Sequence, residues 1–105
     1  ISSLEIESMI DAHSGVHQST VVGVQNQRGN ENIKALVVPE DDADITPVDI
    51  CRHCEQQLPY LKVPRYIELR NDLPRSPSGK IRKRDLKSEG TADAWDRKSG
   101  YELSR

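Results

Sequence analysis

The sequence predicts an α+β domain, a small three-stranded sheet flanked by helices in the order α-β-β-α-β-α. Two observations carry that expectation. Stretches with apolar residues at helical spacing (Ile6, Met9, Ile10 and His13; Ile50, Cys51, Cys54 and Leu58) alternate with short β-branched runs (Val21 to Val24; Ile33 to Val38). The length of 105 residues fits one domain. With 34% hydrophobic residues, 30% charged and no phenylalanine, the core is thin. Such a domain leans on a partner surface or carries a polar tail.

Each element has a local cause. Ser2 with Glu5 three residues on forms a capping-box pattern, and Ile1 and Ile6 stand where a hydrophobic staple would form. A helix is expected over about residues 3–13, closed near Ser14-Gly15. Residues 16–24 are rich in Val and Thr and read as a strand. Polar residues 25–32, with Gly29, read as the hairpin connection. Ile33 to Val38 is the return strand, stopped by Pro39. Thr46-Pro47 supplies an N-cap followed by proline at the first helical position, so a second helix runs from there to Pro59. Lys62-Val63-Pro64-Arg65 is extended, because a residue before proline avoids the helical region. Tyr66 to Leu69 is the third strand. Residues 82–88 form a short basic helix with Gly90 as its stop. Residues 1–90 are thus the domain, and 91–105 are expected to be a polar, poorly ordered tail pinned by Trp95.

Charge narrows the function classes. The formal net charge of −2 gives no global pull toward nucleic acid or membrane. Locally, acid gathers at Glu40, Asp41, Asp42, Asp44 and Asp49, and base at Arg75, Lys80, Arg82, Lys83, Arg84 and Lys87. No apolar run approaches the roughly 20 residues of a membrane span, and no signal-peptide pattern opens the chain. Two cysteines, Cys51 and Cys54, cannot build a disulfide framework. A cytoplasmic location is expected. Because the chain opens on Ile1, it is read as a piece of a longer protein.

The most informative stretch is Leu73-Pro74-Arg75-Ser76-Pro77-Ser78-Gly79-Lys80-Ile81, followed by Arg82-Lys83-Arg84. Pro74 and Pro77 stiffen the approach. Gly79 permits a backbone shape that a Cβ would resist. Lys80 is therefore presented on a short, restrained loop. By itself this is either an exposed turn lysine or a cation delivered to a phosphate or carboxylate held elsewhere.

This stretch resembles the last sequence motif of the adenylate-forming acyl-CoA synthetases, the superfamily that includes luciferases and peptide-synthetase adenylation domains. The likeness extends along the chain. Ile1-Ser2-Ser3-Leu4-Glu5-Ile6-Glu7 resembles the segment after that family's interdomain hinge, Val21-Val22-Gly23-Val24 its first core strand, and Tyr60-Leu61-Lys62-Val63-Pro64-Arg65 its Tyr-Lys-Val-Pro motif. In order and spacing these match the family's small C-terminal domain over residues 1–90. Trp95-Asp96-Arg97 and details of the motifs look like the crotonobetaine/carnitine-CoA ligase group.

The resemblance implies a C-terminal domain of an ATP-dependent acyl-CoA ligase that makes acyl-CoA, AMP and pyrophosphate from acid, ATP and CoA. Lys80 matches the adenylation lysine, with Ser78 and Gly79 in its substrate and nucleotide loop. After adenylation the domain would rotate and present a CoA-side face near Ser2, Ser3 and Glu5. ATP, CoA and Mg²⁺ serve the intact enzyme, and none is expected on this domain alone, which should be inactive. Its partners would be the N-terminal adenylate-binding domain of the same chain and a small carboxylic acid, with no nucleic acid and no membrane span. The alternatives are a peptide-synthetase adenylation domain, or a stand-alone, non-catalytic module that binds an anionic partner.

Other residues have blander readings. Arg82-Lys83-Arg84 could face CoA phosphates, but a solvated helix face with an Arg82–Asp85 contact is favoured. Cys51-Arg52-His53-Cys54 lacks the second ligand pair of a zinc site, and both thiols fall on the apolar helical face, so core packing is expected and no metal site. His13 and His17 flank a turn, and Glu31 is expected in the surface hairpin turn.

Overall fold

The computed structural model describes residues 3–25, 31–59, 62–91 and 94–97. Helix α1 spans Ser3–Asp11, strand β1 Val16–Gln25, β2 Glu31–Pro39, helix α2 Pro47–Gln57, β3 Tyr66–Leu69, helix α3 Lys83–Ser88 and β4 Trp95–Asp96. The sheet order is β1-β2-β3-β4. β1 and β2 form an antiparallel hairpin, β2 and β3 run parallel, and β3 and β4 are antiparallel. The parallel pair requires a crossover, which α2 supplies between β2 and β3.

The architecture is α+β as expected, with one correction: the sheet has four strands where the sequence predicts three. The added strand is a two-residue element at Trp95–Asp96, past residue 90. It pairs Ile67 with Trp95 and Tyr66 with Asp96. Two residues are too few to show any periodicity, so this strand is made by its tertiary partners. Trp95 packs against the main core cluster.

Two more boundaries differ. Helix α1 stops at Asp11, and His13 lies in the turn beyond it, where its Nδ1 accepts the Gly15 N–H at 3.0 Å. Glu31 belongs to β2 and not to the hairpin turn, paired across the ladder with Gln25. The expectations for Ile1, Ser2, Gly29-Asn30 and Tyr60-Leu61, and for the tail beyond Arg97, lie outside the described residues.

The continuous apolar run of β2 reflects a sheet covered on both faces. Its side chains alternate. Ile33, Ala35 and Val37 join Ile6 and Ile10 of α1, Ile50, Cys51, Cys54 and Leu58 around α2, and Ile67 of β3 in one core. Leu36 and Val38 join Val22, Val24, Leu73 and Leu86 in a second core on the other face. Leu73 and Leu86 bracket the Lys80 loop, so the loop is rooted on the face opposite the α1/α2 layer. Each fully buried Leu, Ile or Val side chain contributes about 1.5–3 kcal/mol.

Helix α2 starts where its sequence signals place it. The Thr46 side chain accepts the Asp49 N–H at 3.3 Å, and Asp49 Oδ2 accepts the Thr46 N–H at 2.9 Å. This is a reciprocal capping box, and Pro47 occupies the first turn, where its missing N–H costs nothing.

Candidate functional site

The loop that carries Lys80 is a closed hairpin. Arg75 and Ile81 face each other as an antiparallel bridge. Within it, the Ser76 N–H donates to the Lys80 carbonyl at 2.8 Å and the Gly79 N–H to the Ser76 carbonyl at 2.9 Å. That pattern is a three-residue loop, Pro77-Ser78-Gly79, closed by a glycine in the left-handed region. Gly79 has φ +89°, where a Cβ-bearing residue is strained. The hydroxyls of Ser76 and Ser78 lie 2.9 Å apart and lock the turn from inside. At its base, the Arg82 N–H donates to the Pro74 carbonyl at 2.9 Å, while Leu73 is 2% exposed in the second core.

Ser78, Gly79 and Lys80 are exposed at the tip. Among the described residues the Lys80 ammonium has no hydrogen-bond or ion-pair partner. It is a presented cation on a rigid mount, available to an anion from another surface. The guanidinium of Arg75 braces the loop. Its Nη1 donates to the Gly79 carbonyl at 3.3 Å and its Nη2 to Gln18 Oε1 on β1.

The basic run divides by role. Arg82 pairs with Asp85 at 2.8 Å, the i,i+3 contact expected from the spacing. Arg84 is exposed. Lys83 turns inward to Glu7 Oε2 at 2.7 Å and lies 3.5 Å from Ser3 Oγ. Glu7 Oε2 also accepts the Val21 N–H at 2.8 Å and the Thr20 hydroxyl at 3.1 Å. One carboxylate thereby ties α1, β1 and the start of α3 together. The sequence reading missed this hub, since Glu7 carries no local motif of its own.

The residues expected on a CoA-side face are only partly in view. Ser2 lies outside the described residues. Ser3 opens α1, and Glu5 pairs with Lys62 at 2.7 Å. The structure links this end of α1 to the lysine loop indirectly, through Lys83, three residues after Lys80.

A buried ion pair was also missed. Lys34 is 1% exposed, with Nζ 3.1 Å from Glu68 Oε1 and 2.7 Å from the Gly90 carbonyl. A lone lysine inside an apolar strand is a readable signal for such a pair. Arg70 holds the other Glu68 oxygen at 3.2 Å and Glu89 at 2.6 Å, so the network fastens the end of α3 to the sheet. Arg65 pairs with Asp96 through two nitrogens, each at 3.2 Å, and that hydrogen bonding raises the guanidinium pKa further.

Cys51 and Cys54 are free thiols inside the main core. Burial pushes Cys51 up to about 11, with Glu55 adding to the rise, and Cys54 up to about 12. Such thiols pack as small hydrophobes and supply little thiolate at neutral pH. Among the described residues no three His, Cys, Asp or Glu side chains converge on a metal-sized site. No helix among them is long and apolar enough to cross a membrane.

A sheet with α1 and α2 on one face, and α3 and the lysine hairpin rooted on the other, forms an α+β domain that presents a cation. Comparison with known proteins identifies which. Residues 5–80 match the model of the AMP-binding enzyme C-terminal domain, and the chain belongs to that family. It is 42% identical over 94 residues to a long-chain-fatty-acid–CoA ligase of Yersinia pestis, covering 86% of this chain and 16% of the relative. It is 40% identical over 87 residues to a crotonobetaine/carnitine–CoA ligase of Citrobacter koseri, covering 83% and 17% respectively. The fold matches ATP-bound MatB from Rhodopseudomonas palustris with a TM-score of 0.81 at 31% identity, over 97% of this chain and 19% of that one. The chain spans about a sixth of the length of the curated relatives it matches.

Proposed function

We propose that this domain is the C-terminal part of an ATP-dependent acyl-CoA ligase and that Lys80 is its adenylation lysine. The observation that carries the reading is the presented Lys80 ammonium, without a partner among the described residues, on a hairpin locked by Pro77, Gly79 and internal hydrogen bonds, in a chain of this family. In the first half-reaction a carboxylate oxygen attacks the α-phosphorus of ATP and pyrophosphate leaves. Two anions must meet, and negative charge spreads over the phosphoryl oxygens. A positioned cation lowers that barrier electrostatically, by an amount on the order of several kcal/mol in a water-poor site. An ammonium on a flexible stem suits a point contact shared between carboxylate and nucleotide. The chain supplies the cation. The carboxylic acid and ATP would bind in the N-terminal domain of the whole protein.

In the second half-reaction CoA sulfur attacks the acyl-adenylate carbonyl and AMP leaves. A rotated domain would then withdraw Lys80 and offer the α1 end near Ser2, Ser3 and Glu5 toward CoA. Mg²⁺ would enter with ATP at the N-terminal domain of the whole protein. The two free thiols suit a reducing, cytoplasmic setting.

The reading is tested by pyrophosphate release from the full-length protein with ATP, Mg²⁺ and a panel of carboxylic acids, with and without CoA. Acid-dependent release with CoA consumed is expected. Acid-dependent release without any CoA consumption would replace the ligase by an enzyme with a different acceptor. A protein that neither binds ATP nor releases pyrophosphate with any acid would contradict the reading outright.

A further inference from the structure

Local hydrogen bonds fix the internal shape of the Lys80 hairpin but not its tilt against the sheet. The loop enters at Leu73, in the second core, and leaves at Ile81, half-buried against it, and its tip projects beyond them. Gly79 leaves the tip with no side-chain packing, as nothing lies within 4 Å of the position a Cβ would take. Lys80 itself has no partner among the described residues to aim it. The connection from the tip to the sheet is the Arg75 guanidinium. It donates to the Gly79 carbonyl at 3.3 Å and to Gln18 Oε1. Among the described residues no other side-chain hydrogen bond joins residues 76–80 to the sheet.

Gln18 is placed for this by an irregularity in β1. The β1–β2 register shifts between Val16 and Gln18, leaving His17 as an extra residue on the β1 side. A bulge of that kind bends the strand and re-aims the next side chain, and bulges are over-represented beside active sites. Both Nη groups of Arg75 are engaged within the chain, one by the loop and one by the strand. That arrangement ties the tip of the loop to the strand.

We propose that Arg75 and Gln18 are a positioning pair that sets the direction of Lys80, and so act on adenylate formation alone. The inference rests on the functional reading above. An ammonium displaced by about 1 Å can lose as much as about 100-fold in rate. Loss of one brace on an otherwise intact hairpin is expected to cost about 10-fold.

The test measures each half-reaction separately in the full-length protein. Adenylate formation is followed by acid-dependent exchange of labelled pyrophosphate into ATP. Thioester formation is followed from preformed acyl-adenylate and CoA. Arg75→Ala and Gln18→Ala should each lower kcat for adenylation about 10-fold, with KM for ATP changed less than about twofold and thioester formation unchanged. Gln18→Glu keeps an acceptor for Arg75 and should retain a rate within about twofold of wild type. The double alanine variant should be no slower than Arg75→Ala, because the two residues work as one unit. Equal losses in both half-reactions would mean general damage and overturn the proposal. A raised KM for ATP with kcat intact would make Arg75 a nucleotide ligand and overturn it as well. If Lys80→Ala abolishes adenylation while both brace variants keep full rate, the positioning proposal falls and the functional reading stands. If Lys80→Ala itself keeps its adenylation rate, the functional reading falls and takes the brace with it.

Discussion

Removing the Glu7 carboxylate should destabilise the domain more than any exposed ion pair could. Glu7 Oε2 accepts from the Val21 N–H at 2.8 Å, the Thr20 hydroxyl at 3.1 Å and Lys83 Nζ at 2.7 Å. The three donors differ in what they lose with Glu7→Ala. Val21 is 4% exposed and Thr20 0%, so both are left as buried donors without an acceptor. An unsatisfied buried donor costs about 1–3 kcal/mol. The Thr20 hydroxyl can rotate toward another acceptor and falls at the low end. Lys83 is 43% exposed and returns to water, so its share is small. The sum is about 3 kcal/mol. Glu7→Gln keeps one amide oxygen for the Val21 N–H and loses the charge, which should cost about 1 kcal/mol. Urea unfolding of the domain, followed by circular dichroism, measures both. For a domain of this size about 3 kcal/mol lowers Tm by roughly 12–24 °C. A loss below about 1 kcal/mol for Glu7→Ala would refute the reasoning, since it would mean that water or another acceptor already serves the β1 edge.

Three further outcomes follow from the same geometry. Lys34→Met should cost about 2 kcal/mol in urea unfolding, because Glu68 keeps Arg70 while the Gly90 carbonyl loses its donor; a neutral result would mean that the buried pair contributes no net stability. Gly79→Ala meets open space, so its cost is the backbone at φ +89° alone, about 1–2 kcal/mol, and in the full-length protein it should slow adenylation while sparing thioester formation; equal slowing of both would argue against a loop-specific effect. The raised thiol pKa values make stability fall at high pH. Their contribution is full below the usual thiol value of 9.0 and is lost as pH rises toward about 11 and 12, so urea midpoints should drop between pH 8.5 and pH 11, and Cys54→Ala should flatten that drop; an unchanged slope in the variant would remove Cys54 from the effect.

The parts of the fold written in short-range chemistry were readable in the sequence. Thr46, Pro47 and Asp49 determine where α2 begins within four residues of chain. The Val and Ile runs of β1 and β2 mark a hairpin, and Pro77 with Gly79 marks the turn that lifts Lys80. What could not be read depends on distant partners. β4 exists because Trp95 and Asp96 pair with Ile67 and Tyr66 and because Arg65 grips Asp96 through two hydrogen bonds, contacts that span about thirty residues. Glu7 acquires its role from Val21, fourteen residues away, and from Lys83, seventy-six away. Lys34 was legible in principle, since a single cation amid Ile33, Ala35, Leu36 and Val37 has to find a buried partner. The chemistry of Lys80 is a different case. The turn makes the lysine conspicuous, but its task came from the family resemblance, because a presented cation does not by itself specify its anion.

The most direct test of the account is Lys80→Ala in the full-length protein, with each half-reaction measured separately. Acid-dependent pyrophosphate exchange should fall by at least about 100-fold, as loss of a preorganised charge at a phosphoryl centre does. Thioester formation from preformed acyl-adenylate and CoA should stay within about threefold of wild type, because the lysine is needed for the first step alone. An exchange rate equal to wild type would contradict the central claim and reduce Lys80 to an exposed turn residue.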